Sequence, residues 1–133
     1  MLPRRRFHPT GHPSIGVPLQ HSHGLACGEM LFIGGQADIG ADAKVSRAND
    51  PAAQTHCAMQ NIEKVLAAFD IDLEHLVKIN TVYVGTHGEH DLVKIPSIRA
   101  DYYREPGPAS TGIPFPYLAY ENMLIEVDAV AMV

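Results

Sequence analysis

The pattern of side chains near the carboxy terminus constrains the fold most strongly. Over residues 124–132 one alternate set is wholly apolar, namely Ile125, Val127, Ala129 and Ala131. The other set is mixed and consists of Leu124, Glu126, Asp128, Val130 and Met132. Because successive side chains of a strand point to opposite faces, this pattern predicts a strand with one face in a core. On the mixed face, Glu126 is either a cleft carboxylate or a solvated edge residue.

Three further elements are predicted upstream. Residues 30–33 form an apolar run that predicts a strand buried on both faces, and Gly34 and Gly35 then predict a backbone bend. Residues 38–49 predict a loop. Asp50 and Pro51 suit the N-cap and the first position of a helix, which the apolar spacing extends over residues 51–69. The β-branched segment 76–84 predicts a second strand.

Proline limits the remaining segments. Residues 89–103 show helical spacing, but Pro96 has no amide to donate, so this helix begins near Lys94 or kinks there. Four prolines follow between residues 106 and 116, which leaves room only for a short edge strand over residues 110–113. Residues 1–24 contain four prolines and four histidines and predict an extended arm or edge strand. The whole chain, residues 1–133, is predicted to be a single domain.

The predicted elements leave one sheet face without cover. Two helices cover one face of a sheet of four or five strands, whereas the apolar runs at residues 30–33 and 124–133 require burial on both. A second copy of the chain is the simplest source of the missing cover. We therefore expect an α+β fold in which a mixed sheet carries two helices on one face and oligomerises through the other. Glu126 would then lie in a cleft between subunits.

Composition limits the partners. Ten Lys and Arg against fifteen Asp and Glu give a net charge of -5, which disfavours binding to nucleic acid. No apolar run approaches the roughly 20 residues that cross a bilayer. The two cysteines are too few for a disulfide-rich secreted scaffold, and the amino terminus does not resemble a signal peptide. We expect a cytoplasmic protein that binds neither nucleic acid nor membrane.

Several short motifs occur in a familiar order. They are the segment 28–36 ending in Gly-Gln, a helix with Gln54 and Asn61, the strand 77–84, the Pro108-Ala109 step, and the strand 125–131. In order and spacing they resemble the Rid/YjgF superfamily of reactive-intermediate deaminases. The resemblance implies a chorismate-mutase-like fold and a homotrimer with three intersubunit clefts. It also implies hydrolysis of imines or enamines to a 2-oxo acid and ammonia without a cofactor.

The resemblance further implies which residues form the site. Glu126 stands where the family glutamate orients the attacking water, His21 stands at the place of a cleft tyrosine, and Gly34 stands at the place of a serine. The catalytic candidates are Glu126 and His21. The candidates for substrate binding are Gly34, Ala109, Ser110 and Tyr117.

One departure from the family changes the expected substrate. The family step Pro-Ala-Arg, whose arginine grips the substrate carboxylate, reads Pro108, Ala109, Ser110 here. Because serine has no charge, replacing the arginine by Ser110 lowers the binding free energy of a carboxylate by roughly 1.5 to 3 kcal/mol. We therefore expect a substrate other than the usual small 2-imino acid. Arg99 or Arg104 could compensate, yet an exposed helical arginine is usually solvated.

Other functions stay open at this point. The main alternative is a non-catalytic trimer that binds a small metabolite in the same cleft. An endoribonuclease or translation inhibitor, as described for some family members, is less compatible with the net charge of -5.

The eight histidines suggest zinc, but the sequence has neither an HExxH helix nor paired CxxC motifs, so no metal is predicted. His23, His87 and His90 are predicted to be surface residues. Asp128 shares a face with Glu126 and either raises the pKa of that carboxyl or binds a backbone amide.

Overall fold

The structure is a computed structural model that describes residues 3–7, 21–40, 42–85 and 91–133, and side chains throughout these ranges except in residues 91–94. The described part contains six strands, two α-helices and one 3-10 turn. In chain order they are β1 (Arg4–Phe7), β2 (Gly24–Cys27), β3 (Met30–Gln36), α1 (Pro51–Ala67), the 3-10 turn (Leu73–His75), β4 (Leu76–Val84), α2 (Asp91–Ala100), β5 (Ala109–Phe115) and β6 (Ile125–Met132).

The strands form one mixed sheet in the order β1-β2-β3-β6-β4-β5. Every neighbouring pair is antiparallel except β4 and β5, which run parallel. The strand β6 lies between β3 and β4, so the last strand of the chain is inside the sheet. This α+β architecture, with a mixed sheet and two helices, confirms the predicted fold class.

The helix α1 begins as the sequence predicts. The Asp50 carboxylate accepts a hydrogen bond from the backbone N–H of Ala53 at 2.9 Å, and Pro51 occupies the first turn. Its buried face includes Ala58, Met59, Ile62, Val65 and Leu66, which pack on the sheet. The helix ends at Ala67, two residues before the predicted end.

Gln54 joins α1 to the start of β6. Its fully buried side-chain amide donates to the carbonyl oxygens of Arg47 at 2.8 Å and Asn122 at 2.9 Å. Its oxygen accepts from the backbone N–H of Leu124 at 2.8 Å. These bonds fix the chain immediately before β6, and therefore the position at which Glu126 enters the sheet.

The proline-containing segments differ in part from expectation. The helix α2 begins at Asp91 rather than near Lys94, and Pro96 lies inside it. The edge strand predicted at residues 110–113 is present and longer, since β5 runs from Ala109 to Phe115. An edge strand has only one neighbour, which is why β5 can include Pro114.

The two faces of the sheet differ sharply in burial. The residues Ile125, Val127, Ala129 and Ala131 are at most 2% exposed and lie in the core, as predicted. Within one chain only one face of residues 30–33 is buried, because Leu31 and Ile33 are buried while Phe32 is 49% exposed. Burial of the second face requires another copy of the chain and stays a prediction. Both helices lie on the same side, so nothing in the described chain covers the opposite one. We call this uncovered side, which contains Phe32, Ile113, Phe115, Glu126, Val130 and Met132, the open face.

The amino-terminal segment is described only in part. Residues Arg4–Phe7 form β1 at one edge of the sheet, and most of the remaining predicted arm lies outside the described residues. The single-domain interpretation of residues 1–133 stays a prediction. Among the described residues, no helix has the length and apolar character needed to cross a membrane.

Candidate functional site

Glu126 lies on the open face of β6 and is half-buried. Burial, and to a lesser extent the charge of Asp128, raises the pKa of the Glu126 carboxyl. Asp128 accepts a hydrogen bond from the side-chain amide of Asn80 at 2.8 Å, so its bond is to a side chain rather than to the backbone. A carboxylate that binds a proton more readily than usual is suited to act as a general base on water.

Gly35 provides the surface against which Glu126 packs. The register between β3 and β6 shifts between Ile33 and Gln36, so the strand bends at Gly34 and Gly35. A Cβ atom at Gly35 would overlap a carboxyl oxygen of Glu126. Only glycine therefore leaves room for the carboxyl in this position.

A buried hydrogen-bond network holds the bend. The Gln36 amide nitrogen donates to the carbonyl of Gly34 at 2.9 Å and lies 3.1 Å from Nδ1 of His23. The backbone N–H of Gly34 donates to the carbonyl of His23 at 2.9 Å. The prediction that His23 is a surface residue is wrong, because it is 5% exposed. Its position beside this bend explains the burial.

The other histidines have different surroundings. His21 is exposed, and its ring centroid lies 5.9 Å from that of His23. It therefore lies at the same end of the sheet as the Gly34 bend. His87 and His90 lie outside the described residues. Together Glu126, Gly34, Gly35, Gln36 and His23 are called the Glu126 cluster below.

Three of the candidate binding residues lie elsewhere in the chain. Ser110 pairs with Ile79, whose side chain is buried on the helix side, so the register turns Ser110 toward the helices. Ala109 precedes it on β5, and Tyr117 follows that strand and is 79% exposed. Ala109 pairs with Lys78 and lies on the face of Glu126, but β4 separates it from β6, and Ser110 lies on the opposite face.

The exposure of Arg99 was also misjudged from the sequence. It is 3% exposed rather than solvated, and both terminal nitrogens of its guanidinium donate to Oγ of Ser110 at 3.3 Å. Burial lowers its pKa. Arg104 is exposed and lies 3.9 Å from a carboxyl oxygen of Glu74. The signal was available in the sequence, since Arg99 follows the buried Ile95 by four residues on the same face of α2.

The described residues also include possible metal ligands and two cysteines. Within those ranges no group of three or more His, Cys, Asp or Glu could hold a metal ion. Cys27 and Cys57 are free thiols, and burial together with a hydrogen bond to Asp38 raises the pKa of Cys57. A raised pKa disfavours the thiolate form that nucleophilic catalysis needs.

Comparison with known proteins identifies the family of this chain. The family model described as Endoribonuclease L-PSP matches residues 14–133. The chain belongs to this family, the YjgF/Rid family. Its members are generally imine or enamine deaminases.

Individual relatives are distant in sequence and close in fold. The chain is 24% identical over 131 residues to Protein DfrA of Myxococcus xanthus, covering 98% of this chain and 97% of that protein. The Rid family protein YyfA of Yersinia pestis superimposes with a TM-score of 0.81 at 22% identity, over 98% of this chain and 100% of that one. TdcF of E. coli, solved with bound serine, gives a TM-score of 0.78 at 16% identity over 97% and 98% of the two chains.

Proposed function

We propose that this protein hydrolyses an imine, an enamine or a related carbon-nitrogen bond, with Glu126 as the general base. The observation that supports this most is the half-buried carboxyl of Glu126, whose pKa is raised and which packs against the Gly35 bend. Membership of a family of imine and enamine deaminases agrees with the proposal.

The proposed reaction needs only water and proton transfers. Glu126 takes a proton from water while the water oxygen bonds to the imine carbon, and the nitrogen takes up a proton. The nitrogen then takes up a second proton, equivalent to the one that the hydroxyl group loses as the carbonyl forms, and the carbon-nitrogen bond breaks so that ammonia leaves. The exposed ring of His21 is the candidate for a second proton carrier at this end of the sheet.

We further propose that the complete site forms between subunits of a homotrimer. Glu126 and Ser110 face opposite sides of the sheet within one chain, and the open face exposes Phe32, Ile113 and Met132. Association through that face would bury these side chains and bring one subunit's Glu126 cluster to residues of another. The candidate binding residues Gly34, Ala109 and Tyr117 would then contribute from both sides of the cleft, and Ser110, which is turned to the helix side, would contribute at the exposed edge of β5.

Arg99 changes the substrate expected from the sequence. A substrate other than the usual small 2-imino acid is expected from the sequence because Ser110 has no charge, and the guanidinium of Arg99 beside Ser110 supplies a positive charge there. A small molecule that bears a carboxylate is now the better candidate. The serine bound by TdcF is a molecule of that class.

Two other functions are distinguished by measurement. A non-catalytic binding protein would use the same cleft without turnover. An endoribonuclease is the activity in the family description, but the net charge of -5 gives the chain no general attraction for RNA. Cleavage of RNA by the wild-type protein that Glu126→Gln abolishes would favour that function over imine hydrolysis.

Imine hydrolysis is tested with a panel of freshly generated imines, with and without a carboxylate. We expect the wild-type protein to accelerate ammonia release from at least one, and Glu126→Gln to slow turnover about a hundredfold, the scale typical of a lost acid or base. Asp50→Asn is a control, because Asp50 caps α1 far along the chain from the site. Equal rates for the wild type and Glu126→Gln would exclude Glu126 from the mechanism.

A further inference from the structure

A groove open to solvent lies at the carboxy-terminal ends of the two helices, on the helix side of the sheet. Its volume is about 630 Å³, and its walls come from the last turn of α1, the 3-10 turn with the two residues before it, and the residues that follow α2. We call it the helix-end groove and define it by Glu63, Ile71, Leu73, Tyr102 and Tyr103. Small-molecule sites in proteins are commonly of this size. Both helices lie opposite the open face, so the proposed trimer would leave this groove accessible.

The floor of the helix-end groove is apolar. Ile71, Leu73, Tyr102 and Tyr103 are half-buried and pack against the hydrophobic core, and Ala67 adds a methyl group. These side chains leave apolar surface in contact with water, and a hydrocarbon group that covers this surface gains free energy. The floor therefore favours a ligand with an apolar body.

Contacts outside the groove hold its two tyrosine rings in place. The hydroxyl of Tyr102 lies 2.7 Å from Nδ1 of His56, at hydrogen-bond distance. A Cβ atom at Gly107 would lie 3.0 Å from the ring of Tyr103, so glycine at that position leaves room for the ring. Both rings are thus positioned before a ligand binds, which lowers the entropic cost of binding. The face of an aromatic ring also attracts cations.

The charge of the groove is negative. It is lined by one guanidinium, that of Arg104, and by four carboxylates, those of Glu63, Asp72, Glu74 and Asp101. Arg104 lies beside Glu74 at 3.9 Å, whereas no ion pair within the described ranges includes Glu63 or Asp101. These two carboxylates are therefore available to a cationic ligand.

The charges of Glu63 and Asp101 act on the aromatic wall. Burial, and then the charges of Glu63 and Asp101, raise the pKa of the Tyr102 hydroxyl. A negative field that disfavours ionisation of a phenol favours a cation at the same place. The charge, the aromatic rings and the apolar floor are thus complementary to a single kind of ligand.

We propose that the helix-end groove binds an arylalkylamine. The ammonium group lies beside Glu63 and Asp101, and the aromatic ring covers the apolar floor against Tyr102 and Tyr103, since aromatic rings pair in offset or edge-to-face contacts. An inorganic cation would leave the floor uncovered, and the carboxylates would repel an organic acid. This site is separate from the Glu126 cluster and does not depend on the proposed hydrolase.

The first test is isothermal titration calorimetry of the wild-type protein with phenethylamine and with 2-phenylethanol, which has a similar shape without the charge. We expect saturable binding of a single phenethylamine molecule per chain, and at least tenfold weaker binding of the alcohol. Absence of binding of the amine, or equal affinity for the two compounds, would overturn the proposal.

Two double variants separate a local site from the general attraction of an acidic protein for amines. Glu63→Gln with Asp101→Asn removes two carboxylates of the groove and should lower the affinity for phenethylamine at least tenfold. Glu29→Gln with Glu121→Gln is the matched control, since it removes the same charge at two exposed positions outside the lining of the groove. Equal losses of affinity in the two double variants would mean general attraction and no site.

The aromatic wall is tested at Tyr102. Tyr102→Phe keeps the ring and should retain the affinity for phenethylamine, whereas Tyr102→Leu keeps an apolar side chain without a ring and should lower the affinity several-fold. Thermal unfolding checks that both variants fold. Unchanged affinity in a folded Tyr102→Leu would contradict the assigned ligand. If Tyr102→Leu does not fold, the carboxylate variants decide, because Glu63 and Asp101 are exposed.

These measurements are independent of turnover. Glu126→Gln should bind phenethylamine as the wild type does, because Glu126 lies on the opposite side of the sheet from the groove. Loss of amine binding in Glu126→Gln would place the amine in the Glu126 cleft and overturn the proposal. Failure of imine hydrolysis would leave the amine site unaffected.

Discussion

The environment of the Glu126 carboxyl sets its protonation. The side chain is half-buried on the open face, and Asp128 adds a like charge two residues along β6. Both raise the pKa of Glu126 above the ordinary glutamate value of about 4.3. Because the base form is needed to accept a proton from water, the rate should fall as the pH drops through this raised pKa.

Asp128→Asn tests the electrostatic part of that shift. The substitution removes the like charge while keeping an oxygen that can accept from Asn80, so the pKa of Glu126 should fall. We expect the acid limb of the pH-rate profile to move to lower pH. Burial, the larger cause, is unchanged, so the limb should remain above the ordinary glutamate range. An acid limb that does not move would show that another group titrates there.

The Glu126 carboxyl should also affect the free energy of unfolding. Its contribution should decrease as the pH rises, whereas the rate increases. A group whose pKa is raised by folding contributes stability below its unfolded pKa, and this contribution is lost as the pH rises through the folded pKa. Glu126→Gln should therefore be more stable than the wild type at neutral pH, with the difference shrinking toward about pH 4. Thermal unfolding of both proteins across this range measures it. A wild type that is the more stable at neutral pH would contradict the raised pKa.

Gly35→Ala tests the packing of Glu126. The added Cβ would overlap the carboxyl oxygen, so the side chain must move and turnover should fall at least tenfold. The double variant Gly35→Ala with Glu126→Asp shortens the acid and should recover part of the loss relative to Gly35→Ala alone. Full activity of Gly35→Ala would mean that the Glu126 position is not constrained by the bend.

At the residue scale, the sequence correctly predicted the face of a side chain where strand alternation determines it. It did not predict burial where tertiary contacts determine it. The placement of Glu126 on the mixed face followed from the period of two. The burial of His23 did not, because it depends on Gln36, a partner distant in the chain. The burial of Arg99 was missed although its helical spacing from Ile95 indicated it. The residue types alone favoured exposure for both.

At the scale of elements, one side chain couples α1 to β6. Gln54 satisfies three backbone groups, those of Arg47, Asn122 and Leu124, at 2.8 to 2.9 Å. Without Gln54, these backbone groups would be buried and would have no hydrogen-bond partner. Each buried unsatisfied group costs about 1 to 3 kcal/mol. The start of β6, and hence Glu126, depends on this link.

Gln54→Met keeps the length and removes the hydrogen bonds. We expect the free energy of unfolding to fall by at least about 2 kcal/mol, measured by urea denaturation. Gln60→Met is the matched control, because Gln60 lies on the exposed side of the same helix and should change stability little. A loss of similar size in both variants would indicate a general effect of methionine rather than the lost bonds.

A helix or strand was predicted closely where the sequence pattern that specifies it lies within the segment itself. The helix α1 and the strand β4 were predicted closely because the N-cap, the apolar spacing and the β-branched run all act within the segment. Of the two alternatives for α2, a start near Lys94 is wrong, whereas a helix that continues through Pro96 is the one observed, and Ile95 anchors it in the core. The parallel pairing of β4 and β5 and the interior position of β6 depend on tertiary packing, which no local pattern specifies.

At the scale of the whole molecule, the proposed trimer accounts for two features: the exposed open face, and the positions of Glu126 and Ser110 on opposite sides of the sheet. A single chain leaves Phe32, Ile113, Phe115 and Met132 exposed on that face. It also places Glu126 and Ser110 on opposite sides of the sheet. Assembly of three copies would cover the apolar side chains and complete the cleft. The sequence predicted the need for cover, but the cleft residues could be assigned to separate faces only once the strand register was known.

Multi-angle light scattering coupled to size exclusion, at micromolar protein concentration, tests this central claim directly. The proposed assembly predicts a single species with three times the chain mass of 14.5 kDa. Glu126→Gln should give the same mass, because the substitution alters the proton-accepting group and not the apolar surface. A species of 14.5 kDa would contradict the account, since the open face would then be solvated and no cleft between subunits would exist.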